Sequence, residues 1–182
     1  GKAVELIDGY SEIETLPGSA SKVITRYFGN KVEGDINGDG ILDVVFLLTQ
    51  ETGGSGTFYY VVAATKIDTV YQGTNAVFLG DRIVPQTTEI NNGQIIVNYA
   101  DRKSGEPMTA SPSIGVSKYL KLENGSLVNS STSGDGGCYI GGCSSQICSG
   151  QKDIVSTCEY KEEYGCYKTA KCDRQANGKC GW

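Results

Sequence analysis

All seven cysteines of this 182-residue chain lie between Cys138 and Cys180, and the residues before them contain none. That distribution constrains the fold more than any other feature. It divides the chain into a part that can fold by burying apolar surface and a part too poor in large apolar residues to do so. Small domains without an adequate core substitute covalent bridges for it. Cys138, Cys143, Cys148, Cys158, Cys166, Cys172 and Cys180 are separated by 4, 4, 9, 7, 5 and 7 residues. No C-x-x-C pair occurs, so zinc and dithiol redox chemistry lack their usual spacing, and at least three disulfides are expected. The odd count leaves one thiol over, either free, bonded to another chain, or bonded to a cysteine beyond Trp182. Spacing alone does not choose a connectivity.

The stretch NSSTSGDGG at 129–137 has the small, polar composition of a flexible linker. The expected organisation is a β-domain over 1–129, a linker over 130–137 and a cysteine-rich disulfide domain over 138–182. Within the last, residues 159–164 and 167–171 each suit a turn or two of helix between cysteines.

The first part reads as strands and turns. Residues 22–28 are rich in β-branched and aromatic side chains, and the apolar runs DVVFLLT at 43–49 and TFYYVVAA at 57–64 flank a glycine-rich connection. Those two runs are the strongest hairpin signal. Further strands are expected at 76–79, 87–90, 94–99, 114–122 and 126–128, with Asn92-Gly93 and Asn124-Gly125 as turns because both residue types tolerate positive φ. Seven to nine strands in a meander predict an all-β fold, an antiparallel sandwich or open barrel.

Composition narrows the function. There is no histidine, the commonest general base and metal ligand, so zinc hydrolases and Ser-His-Asp enzymes are excluded. The net charge is −5, and residues 1–133 hold 15 acidic against 10 basic side chains with no Lys/Arg cluster. That offers no footprint for a phosphate backbone, so no nucleic-acid partner is expected. No apolar run approaches the roughly 18 residues a membrane-spanning helix needs. Asp81, Asp101 and Glu106 are the acids a histidine-free hydrolase would draw on, but nothing in their spacing singles them out.

One motif carries chemistry. Residues 35–43 read D-I-N-G-D-G-I-L-D, with oxygen side chains at loop positions 1, 3, 5 and 9 and glycine at 6. A chain supplies the oxygens Ca2+ needs only by coiling tightly round it, which glycine permits. Asp35, Asn37, Asp39, Asp43 and the Ile41 carbonyl are therefore expected to hold one Ca2+ at about 2.3–2.6 Å. Position 12 is Phe46 and an apolar run follows, so this is not an EF-hand. The alternative is an ordinary Asp/Asn/Gly turn.

The loop resembles the calcium loop of FG-GAP repeats in integrin-type propellers, over about a dozen residues and in a single copy. Cys138-Tyr-Ile-Gly-Gly-Cys143-Ser-Ser-Gln-Ile-Cys148, then STCEYKEEYGCYKTAKC, then Gly178-Lys-Cys180-Gly-Trp182 resembles the bacterial eight-cysteine-cluster domain. The resemblance implies a further cysteine after the Gly-Trp, where this sequence stops, and carries no activity. The resulting expectation is a non-catalytic, calcium-stabilised structural or adhesive protein, secreted or at the cell surface, with the periplasm as the other oxidising compartment. Its partners would be copies of itself through β edges or another surface protein. A protein-binding inhibitor and a carboxylate hydrolase are the alternatives.

Overall fold

A computed structural model describes residues 3–130, 133–134, 138–151, 154–157, 159 and 161–182. The chain is all-β as expected, with 53% of residues in strands and 4% in helix. Its main sheet is antiparallel and curls into a half-barrel. It contains β1 Tyr10–Glu14, β2 Lys22–Gly34, β3 Asp43–Glu51, β4 Phe58–Ile67, β5 Val70–Gly73 and β6 Val77–Asp81. The order is β1-β2-β3-β4-β5, and β6 also pairs with β4. A second sheet runs β10-β9-β8-β7, from β7 Val84–Asn91, β8 Gln94–Asp101, β9 Ile114–Glu123 and β10 Ser126–Asn129.

The expected hairpin is present: β3 and β4 pair from Val44↔Ala64 to Gln50↔Phe58. In β3 every second residue is buried, which puts Asp43, Val45, Leu47 and Thr49 on one face. Val45 and Leu47 meet Ala63 and Val61 there, and none of the four exceeds 2% exposure. Phe46 and Leu48 face the other way, half-buried, with Tyr27 5.5 Å from Phe46 between ring centres.

Strand β2 extends past the expected end at Phe28. Gly29 and Asn30 have φ of 122° and 50°, and the register with β3 shifts on both sides of Gly29. Gly29 and Asn30 form a β-bulge, which lets the strand continue to Gly34. There the backbone passes close to β7. A Cβ on Gly34 would stand 3.0–3.2 Å from the Ile90 side chain. Gly34→Val should therefore destabilise the protein by about 1–3 kcal/mol through overpacking, measurable as a lower urea midpoint with an unchanged slope.

Contacts group the chain into two compact units, one of Gly1–Ile83, Thr88–Ile95 and Lys121–Val128, the other of Val84–Thr87, Ile96–Leu120 and Asn129–Trp182. The cysteine-rich residues thus share a unit with parts of β7, β8 and β9, a grouping that composition does not indicate. Hydrogen bonds run within this unit from β9 to the cysteine-rich residues. Gly115 N–H donates to the Ser156 carbonyl at 2.9 Å. Ser117 Oγ lies 2.7 Å from the Gly142 carbonyl and 2.6 Å from Oδ1 of Asn98, which is 4% exposed. Of the expected linker, residues 131, 132 and 135–137 lie outside the described residues, and β11 Ser133–Gly134 pairs with β12 Cys138–Gly141.

Strand β12 pairs in turn with β13 Ile147–Ser149, and β14 Asp173–Arg174 with β15 Cys180–Gly181. Cys138–Cys180 spans 42 residues and encloses Cys148–Cys172, which spans 24. Cys143 is disulfide-bonded too, Cys166 is free and exposed, and Cys158 lies outside the described residues. Where two helical turns were expected, the described residues hold one 3₁₀ helix, Glu162–Lys168. A segment this short has little propagation to offset the cost of nucleation, and 3₁₀ winding is common in such connectors. The disulfides point to an oxidising compartment, extracellular or periplasmic. Among the described residues no helix is long and apolar enough to cross a membrane.

Candidate metal centre

The chain leaves β2 at Gly34 and enters β3 at Asp43, and the acidic loop fills the gap. Short side-chain oxygens bond to main-chain N–H groups a few residues on, which is why Asp and Asn coil a loop tightly. Asp35 does most of this. Its Oδ1 accepts from Asn37 N–H at 3.2 Å and Gly38 N–H at 2.6 Å, and its Oδ2 from Gly40 N–H at 2.9 Å. Asn37 Oδ1 accepts from Asp39 N–H at 2.9 Å, and Asp39 Oδ1 from Ile41 N–H at 2.7 Å. Gly38 and Gly40, with φ of 82° and 81°, turn the backbone where a side chain would strain it. The N–H groups of Gly40 and Gly38 hold the Asp35 carboxyl below the usual carboxylate range, so it is ionised at neutral pH.

Asp43 has a different environment. It is fully buried, and its two oxygens accept from Ile36 N–H at 3.1 Å and Lys66 N–H at 2.9 Å. One carboxylate therefore joins the loop to β4 as well as to β3. Ile36, 5% exposed, plugs the loop into the core. The β7–β8 turn abuts the same loop, since a Cβ on Gly93 would lie 3.8 Å from the Ile36 carbonyl oxygen.

The loop thus gathers Asp35, Asn37 and Asp39, while Asp43 is occupied on the core side. Asn37 Nδ2 donates to Asp39 Oδ2 at 2.8 Å. Among the described residues no three acidic, cysteine or histidine side chains are close enough to hold an ion as they stand. Nor, among the described residues, is any of the three aspartates ion-paired. The donor set fits a hard cation: each carboxylate oxygen that accepts one N–H keeps a second lone pair. Seating an ion requires the Asn37 amide to release Asp39 and present Oδ1.

The other acids are engaged locally. Asp81 Oδ1 accepts from Thr57 N–H at 2.9 Å, and Oδ2 pairs with Arg82 at 3.0 Å. Asp101 accepts from Arg102 N–H at 2.7 Å, and Glu106 from Lys103 N–H at 2.9 Å. Sequence reasoning did not anticipate the burial of Asp43 or its bond to Lys66. The signal was available, because Asp43 shares the i, i+2, i+4 positions of Val45 and Leu47 and so the inner face of β3.

No family model matches the chain, and no curated protein and no solved structure matches it.

Proposed function

We propose that this chain is a non-catalytic structural protein of an extracellular or periplasmic compartment, in which Ca2+ at the loop of residues 35–43 ties β2, β3 and β4 together. The observation that carries this reading is Asp43, a fully buried carboxylate whose partners among the described residues are two main-chain N–H groups. Burying a charge is costly unless a counter-charge compensates it. With Asp35 and Asp39 it makes three aspartates in nine residues, and a divalent cation bound by the Asp35, Asn37 and Asp39 side chains, Asp43 and the Ile41 carbonyl would neutralise them. The ion supplies cross-linking and charge balance, and stability then rises with its concentration.

The test is the melting temperature in Ca2+ and in chelator. Ca2+ should raise it, Asp39→Ala should remove that response, and Mg2+ should rescue poorly, because it demands a tighter octahedron and dehydrates reluctantly. The same melting curve in both conditions sinks the reading.

A further inference from the structure

The six-stranded sheet ends at β5, a four-residue strand whose edge is guarded by nothing but its shortness. Natural edge strands carry charges, proline or bulges that discourage pairing. Val70-Tyr71-Gln72-Gly73 has no charge and no proline, and its register with β4 is unbroken. All four residues are exposed, Val70 at 65% and Tyr71 at 52%. Among the described residues β5 has a strand on one side only.

The register shows which main-chain groups face outward. Antiparallel pairs alternate between hydrogen-bonded and non-bonded. Lys66 is opposite Tyr71, but its N–H donates to Asp43 Oδ1 on the other side of β4. The Lys66–Tyr71 pair is therefore non-bonded, and the N–H and C=O of Tyr71 point away from β4. Gly73, opposite Ala64 and two residues on, repeats the arrangement.

We infer that this edge pairs with β5 of a second copy, antiparallel about Tyr71. One residue supplies both donor and acceptor, so two copies satisfy each other reciprocally, which is what a two-fold interface requires. Charge favours a second copy at this edge over the opposite one. The chain carries −5, and β1 presents Glu14 and a Glu12 that is ion-paired with Lys22, whereas β5 carries no charged side chain. Lys66, the neighbouring cation on β4, would stand three strand spacings from its counterpart, about 14 Å, beyond the screening length of about 8 Å. The two Tyr71 rings would lie side by side across the new pair. The inference deepens the structural role proposed above by naming its partner, and it does not depend on the ion.

Sedimentation of the full chain over a wide concentration range, in Ca2+ and in chelator, tests it. The wild type should show a reversible monomer–dimer equilibrium. Tyr71→Pro removes no hydrogen bond to β4, so it should weaken dimerisation by about thirtyfold, two hydrogen bonds at their usual net worth. Tyr71→Phe, which keeps the outward N–H and the ring, should leave both dimerisation and melting unchanged. Val70→Lys, which puts like charges at the junction, should weaken dimerisation as well. A chain that stays monomeric throughout overturns the inference, as does a dimer equally tight in Tyr71→Pro and Val70→Lys. Melting in the same samples reads the ion's effect separately, so the two readings fail independently.

Discussion

Replacing Cys138 and Cys180 together by alanine is expected to destabilise the protein by about 3 kcal/mol. Closing a 42-residue loop in an otherwise open chain restrains the denatured state by about 4 kcal/mol in the chain-entropy account. Here Cys148–Cys172 is nested inside it and already shortens the path between the outer cysteines. The increment from the outer bridge is smaller for that reason. Cys138 is also fully buried, so its loss leaves a void beside β12. Urea denaturation of the double variant against the wild type measures the difference. An unchanged midpoint would mean that packing, and not the bridges, holds the cysteine-rich residues.

Asp43→Ala should have an effect of similar size, about 3 kcal/mol in chelator, because a buried N–H and a part-buried one lose their acceptor at once. Asp43→Asn distinguishes the electrostatic role from the hydrogen-bonding one. It keeps the volume and one acceptor oxygen but turns an NH2 toward a donor, so it should lose about 1–3 kcal/mol and respond less to Ca2+. A fully stable Asp43→Ala protein would mean that the loop is not anchored through this carboxylate.

How far the sequence revealed these features depended on how local the cause was. The β3–β4 hairpin was legible because two apolar runs and a glycine-rich connection lie next to each other, and the fold class followed. Strands β1 and β5 were not. Tyr10–Glu14 and Val70–Gly73 are short and exposed, and they pair only because a neighbour offers an edge. The expected strand over residues 22–28 stopped short of Gly34 because a bulge at Gly29-Asn30 carries the pairing past an interruption in the apolar pattern.

The cysteine pattern predicted bridges but not their nesting, which depends on the contacts that bring β12 to β15. Ser117 and Gly115, which bond to the cysteine-rich residues, lie far from them in the chain and give no compositional sign of it. At the loop, the Asp/Asn/Gly spacing announced the tight coil that Asp35, Asn37 and Asp39 make with main-chain N–H groups. The orientation of Asp43 toward Lys66 N–H was set by β4, 23 residues away.

The account depends most on the ion. Equilibrium binding of Ca2+ to the chelator-treated full chain, followed by titration calorimetry, measures it directly. The account predicts one ion per chain, bound in the weak range of extracellular sites, about 10⁻⁴–10⁻³ M or tighter, and no binding by Asp39→Ala. No binding by the wild type, or binding that survives Asp39→Ala undiminished, would contradict it.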